Sequence, residues 1–98
     1  MDERRSKALS RAFRLSLDRL GVTRDASKRK RVAREMARIQ SGPLPGEGDY
    51  ETLIPHRPGI GWAREIPELR LWLVYRFDED ELEVILLVDR RPVTVEEE

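Results

Sequence analysis

The chain has 98 residues, 39% of them hydrophobic and 39% charged, which is one domain's worth of sequence around a single modest core. It has no cysteine and one histidine (His56), so disulfides, thiolate metal sites and a cysteine nucleophile are excluded and no metal or cofactor is expected. No apolar stretch approaches the ~18 residues of a membrane span and no charged-then-apolar leader opens the chain, so the expectation is a soluble cytoplasmic domain with no membrane partner.

The formal net charge of zero hides a strong polarity. Met1 to Ser41 holds thirteen Lys/Arg and five Asp/Glu, or +8, and Gly42 to Glu98 holds six and fourteen, or −8. Such a distribution suits a polyanion on one face and a cationic partner on another, and equally a solvated surface of long charged side chains. Residues 1–98 read as one domain, with a helical hairpin over 1–41, a connector over 42–49, a sheet over 50–92 and an acidic tail over 93–98.

Leu9, Phe13 and Leu20, with Ala12 and Leu17 beside them, recur at helical spacing and predict a helix from about Arg4 to Leu20. Gly21 stops it, and Thr23 or Asp25 caps the next helix. That second helix carries Val32, Met36 and Ile39 on one stripe and Lys28, Arg29, Lys30, Arg31, Arg34 and Arg38 on its opposite side. Gly42-Pro43 ends it, and Leu44-Pro45-Gly46-Glu47-Gly48 is a connector. The short link between the two helices implies an antiparallel hairpin.

Beyond the connector the period changes from 3.6 to 2. Tyr50 to Ile54 is a weak strand, and Ile60 to Ile66 a firmer one closed by Pro67-Glu68. Leu69, Leu71, Leu73, Tyr75 and Phe77 alternate with Arg70, Trp72, Val74 and Arg76. After the polar turn Asp78-Glu79-Asp80, Leu82, Val84, Leu86 and Val88 alternate with Glu83, Ile85, Leu87 and Asp89. This predicts a β-hairpin with one apolar face for the helices to cover, with Val32 and Met36 against Leu71, Leu73, Val84 and Leu86. The fold class is α+β: a helical hairpin on an antiparallel sheet, in two layers. The other face of the sheet should present Arg70, Trp72, Arg76, Glu83, Asp89 and Arg91. There the arginines either pair with Glu83 and Asp89 or hold an anion.

The run Leu71-Trp72-Leu73-Val74-Tyr75-Arg76-Phe77, an acidic turn, Leu82-Glu83-Val84-Ile85-Leu86-Leu87-Val88 and Asp89-Arg90-Arg91 resembles the RelE/ParE superfamily of bacterial toxins. Its counterpart there is an "R-[LV]-V-Y" strand, a turn, a hydrophobic strand and a terminal basic residue. Trp62-Ala63-Arg64-Glu65-Ile66 is similar to the family's preceding basic strand, and the resemblance spans about Leu9 to Arg91. It implies a toxin with a cognate antitoxin that covers the sheet face or wraps the helices.

The family's ribonuclease members cut messenger RNA on the ribosome: a base takes the 2′-hydroxyl proton, the oxygen attacks the adjacent phosphate, and arginines stabilise the charge that develops. The resemblance implies Arg91 at the terminal basic position and Arg70 as the nearest substitute for the strand-heading arginine, which falls on Trp72. It also implies Arg64 at a basic position of the preceding strand, although alternation from Trp62 points that side chain toward the helices. His56, in Ile54-Pro55-His56-Arg57, stands where some members carry a general base. Arg57, Arg76, Arg90 and, on the second helix, Lys28, Arg29 and Arg31 are the candidates for holding RNA. Three features depart from the family: no strand is read before the first helix, no tyrosine follows Val93, and the chain is neutral overall. Two alternatives stand beside ribonuclease activity. One is a ParE-like protein that inhibits DNA gyrase by binding. The other is a helix-turn-helix DNA-binding protein built on Leu20-Gly21-Val22-Thr23 and the basic helix after it.

Overall fold

Ser10 divides the segment that the Leu9–Phe13–Leu20 stripe predicts as one helix. Its hydroxyl accepts the Phe13 N–H at 3.0 Å, a helix cap that starts α1 at Arg11 (Arg11–Arg19). Upstream of the cap the chain is extended as β1 (Ser6–Leu9). The computed structural model describes residues 5–95, so the Arg4 start and Glu96-Glu97-Glu98 of the acidic tail lie outside the described residues.

Gly21, at φ 76°, turns the chain after α1, and Asp25 caps α2 (Ala26–Ser41) by accepting the Ser27 and Lys28 N–H groups at 3.0 and 3.2 Å. Thr23 instead donates its hydroxyl to Asp18 at 2.6 Å. After the connector come β2 (Tyr50–Leu53), β3 (Ile60–Ile66), β4 (Leu71–Phe77) and β5 (Glu81–Val88). The sheet has five strands in the order β1-β5-β4-β3-β2, with every pair antiparallel except β1 and β5. The expected four-stranded antiparallel sheet is therefore corrected to a mixed one. The parallel register runs from Ser6 opposite Glu81 to Leu9 opposite Val84, a non-local pairing that overrides the local helical spacing.

The helices cover one face. Phe13, Val22, Val32 and Ile39 bury against Ile66, Leu71, Leu73, Tyr75, Leu82, Val84 and Leu87, with Met36 half-buried beside them. Val32, Leu71, Leu73 and Val84 lie where alternation predicts, but Leu86 does not. The β4–β5 register shifts between Val74 and Tyr75, whose partners are Leu86 and Val84. Ile85 is thus an extra residue, a β-bulge that exchanges the faces of everything after it. Leu87 turns to the helices and Leu86 away from them, into a second cluster with Ile54, Val74 and Ile85.

Serines of α1 satisfy the backbone of β5 beyond the reach of β1. The Ser10 hydroxyl donates to the Ile85 carbonyl, and Ser16, itself fully buried, accepts the Leu87 N–H at 3.1 Å while donating to the Phe13 carbonyl at 2.6 Å. Ser16→Ala leaves a buried N–H without a partner, so a loss of about 1–3 kcal/mol is expected in urea denaturation. Ser16→Ala at unchanged stability would contradict this account of the bulge.

The opposite face is partly roofed. The chain leaving β2 folds back so that Ile54 is buried on Gly61, where an added Cβ would lie 2.9 Å from the Tyr75 carbonyl and 3.2 Å from Ile54. After β5 the tail crosses toward β2, where Thr94 bridges to Thr52 and the Val95 N–H donates to the Glu51 carbonyl at 2.9 Å.

Candidate functional site

The face away from the helices carries two arginines on one carboxylate and, apart from them, a third arginine stacked on a tyrosine. Arg57, from the loop after β2, grips Glu83 of β5 through both ends of its guanidinium, at 2.9 and 3.1 Å. Arg76, directly across from Glu83 on β4, donates to the same carboxylate at 2.8 Å. The Arg57 hydrogen bonds first, and those of Arg76 after them, hold the Glu83 carboxyl below the usual carboxylate range against the effect of burial. Two guanidiniums on one carboxylate leave the group with a net positive charge. Arg91 is the third cation, stacked 4.6 Å from the centre of the Tyr50 ring, whose hydroxyl donates to the Pro92 carbonyl at 2.8 Å.

The Arg57–Glu83 pair also pins the loop that carries His56. That histidine is exposed, in the left-handed region at φ 66°, one residue from the arginine that clamps the loop to the sheet. The loop is therefore tied to the face through Arg57.

Other expected groups stand elsewhere. Arg70 and Arg91 are not on adjacent strands: β4 begins at Leu71 and β5 ends at Val88. Arg70 is an exposed turn residue at φ 54°, Arg91 belongs to the tail, and no hydrogen bond joins the two among the described residues. Arg90 is exposed at the bend after β5. On α2, Lys28 is half-buried and Arg29 reaches back to the Thr23 carbonyl. Arg31 is committed to the β3–β4 turn, donating to the Pro67 carbonyl at 3.1 Å and pairing with Glu68 at 3.5 Å.

Arg64 points to the helix side, as alternation from Trp62 predicts. It makes a two-pronged contact with Asp49 (Nε–Oδ1 2.8 Å, Nη2–Oδ2 2.9 Å) and reaches Glu35 of α2 at 3.4 Å. Asp49 is also the acceptor of the Tyr75 hydroxyl and, at 2.9 Å, of the Gly46 N–H. A Cβ at Gly46 would sit 1.8 Å from the Arg64 guanidinium, so any side chain there would displace Arg64 from its place on Asp49. A cleft of about 430 Å³ opens beside this network, between Arg31, Glu35, Arg38 and Arg64. Its arginines and carboxylates neutralise one another, which makes it a staple for the connector and not a place where a reacting group is left poised. Sequence patterning did not reveal Asp49, Glu35 or Tyr50; a lone acid in a Gly-rich connector and an acid on a basic helix carry no periodic signal.

Both tyrosines are held protonated beyond their usual range, Tyr50 chiefly by burial, and Tyr75 by burial and then by its hydrogen bond to Asp49. A phenol whose pKa is raised on folding contributes stability that is intact below about pH 10, its unfolded value, and is lost as pH rises beyond it. Ionisation of Tyr75 at alkaline pH is therefore expected to appear together with unfolding; a Tyr75 phenolate titrating in the folded chain near pH 10 would contradict this.

Among the described residues no group of three or more His, Asp or Glu side chains is placed to hold a metal, and no helix is long and apolar enough to cross a membrane. A scan against protein-family models finds no match, and searches of curated proteins and of solved structures find none either.

Proposed function

We propose that the chain is a RelE-like toxin of a toxin–antitoxin pair, acting in the cytoplasm by cleaving messenger RNA on the ribosome. The observation that carries the reading is the cation-bearing face opposite the helices, with Arg57 and Arg76 around Glu83 and Arg91 on Tyr50. The strand β1 beside β5 supplies the N-terminal strand that the resemblance calls for, which supports the reading further.

In the proposed reaction His56 takes the 2′-hydroxyl proton. The oxygen attacks the adjacent phosphorus, the bond to the 5′-oxygen breaks, and that oxygen leaves with a proton from solvent or from the imidazolium. Arg57, Arg76 and Arg91 stabilise the charge on the phosphate oxygens, arginine being suited to this by its planar fork and permanent charge. Glu83, held below the usual carboxylate range, is a weak base and acts by aiming the two arginines. Arg64 has no part in this face. The cognate antitoxin is the protein partner.

The second reading, a ParE-like inhibitor that binds DNA gyrase without chemistry, is favoured by the pairing of Arg57 and Arg76 with Glu83 and by the place of Arg70 in the turn before β4, outside the cation group. Induced expression of the free chain separates the two. Growth arrest with translation falling before replication supports RNA cleavage, whereas a replication defect with intact translation supports gyrase binding. Unchanged growth at confirmed soluble expression removes both.

A further inference from the structure

The tail and the end of β2 enclose a second cleft, of about 410 Å³, of which the chemistry above uses only Arg91. Its walls are mainly apolar, with Leu53, Val88 and Val93 the principal side chains. Leu53 and Val93 are 63% and 75% exposed, so the apolar surface is presented to solvent and not consumed by packing. Besides the arginines, two polar side chains stand in the wall: Thr52 is 1% exposed and its hydroxyl makes only a long contact, 3.4 Å, to the Leu53 carbonyl, and Asp89 is exposed beside Arg90. Arg90 and Arg91 stand at the rim, both exposed, and neither forms an ion pair among the described residues. A concave apolar hollow with one buried hydroxyl, and with two cations against one carboxylate at its mouth, a net positive charge, suits an apolar-faced group that carries a phosphate, such as a nucleotide.

We infer that this cleft is a nucleotide-binding subsite, taking a base of single-stranded RNA between Leu53, Val88 and Val93 and its phosphate on Arg90 and Arg91. The inference rests on the RNA reading and adds to it the place where the strand is gripped. Arg91 lines this cleft and also stacks on Tyr50 of the cation-bearing face, so it belongs to both. The Thr52 hydroxyl gives the cleft one hydrogen-bonding group with which to prefer one base edge over another.

The test is titration of the intact chain with the four ribonucleoside 5′-monophosphates, with inorganic phosphate and with a short single-stranded oligoribonucleotide, followed by NMR shifts and calorimetry. Mononucleotides are expected to shift Leu53, Val88 and Val93 and to bind more tightly than phosphate. Leu53→Glu, at an exposed position that folding tolerates, is expected to weaken mononucleotide and oligonucleotide binding at least tenfold while the thermal midpoint stays in place. Arg90→Ala is expected to lower the salt slope of oligonucleotide binding by roughly 0.7, the share of one phosphate contact. Phosphate that binds as well as the mononucleotides, or an oligonucleotide held with wild-type affinity by Leu53→Glu, overturns the subsite and leaves RNA cleavage standing. No binding of any nucleotide, with translation unaffected on expression, overturns the RNA reading itself. An acidic peptide that shifts these residues where nucleotides do not assigns the cleft to a protein partner and overturns the inference.

Discussion

Asp49→Ala is expected to remove about 3–5 kcal/mol of stability, a large part of the ~5–15 kcal/mol typical of a domain. The carboxylate is 2% exposed and holds the Arg64 guanidinium, itself 13% exposed, so the substitution strands a buried cation and leaves the Tyr75 hydroxyl and Gly46 N–H without their acceptor. Glu35 compensates only in part, because its contact with Arg64 is the longer one and it also serves Arg38 at 3.3 Å. Asp49→Asn keeps an acceptor for the phenol and is expected to lose less. Tyr75→Phe removes one hydrogen bond and is expected to cost about 1 kcal/mol. Urea denaturation of the three variants ranks them; an Asp49→Ala chain as stable as the parent would show that the connector is held by packing alone.

Arg91→Ala is expected to reduce RNA cleavage, and with it toxicity, roughly a hundred- to a thousand-fold, the usual effect of removing one group that stabilises developing charge. The same substitution costs the fold little, because Arg91 is exposed and contributes a stack on Tyr50 worth about 0.5–1 kcal/mol. Arg64→Ala makes the informative contrast. It too is expected to abolish toxicity, but by unfolding, with a lowered thermal midpoint and loss of soluble chain. Paired measurements of toxicity and thermal midpoint thus separate a group that works on substrate from one that holds the site's scaffold. Arg70→Ala, in a turn outside the cation group, is expected to have the smaller effect.

The strands β3, β4 and β5 were legible because a half-buried strand records its environment with period two. Val32 and Ile39 were legible because one side of α2 is apolar and the other cationic. The strand β1 was not. Ser6-Lys7-Ala8-Leu9 has no alternation, its pairing partner lies some 75 residues away, and Leu9 happens to continue the helical spacing of Phe13. Ser10, the residue that caps α1 at the boundary, carried no part of the reading, which followed the stripe instead. The bulge at Ile85 was equally hidden, since Leu82 to Val88 is apolar almost throughout and either face of β5 accepts it. What places Leu86 and Leu87 is the pair of serines on α1.

The candidate site divides along similar lines. That Glu83 meets an arginine was one of the two outcomes that strand alternation allowed, because Arg76 and Glu83 fall opposite each other once the hairpin turn is set. Arg57 was beyond such reasoning: its place depends on how the loop after β2 folds back, and that is decided by Ile54 seating on Gly61. The placing of both Arg70 and Arg91 on the sheet face failed for the reverse reason. Alternation was extended past the ends of β4 and β5, into a turn and a tail that do not obey it.

The most direct test of the proposed function is incubation of the purified chain with programmed ribosomes, with the messenger ends mapped by primer extension. The account predicts cleavage of ribosome-bound messenger by the parent chain, strongly reduced in Arg91→Ala at unchanged thermal stability and unaltered when Lys28 and Arg29 are both replaced by alanine. Intact messenger alongside inhibited gyrase supercoiling, or activity that disappears with Lys28 and Arg29 while Arg91→Ala remains fully active, would contradict it.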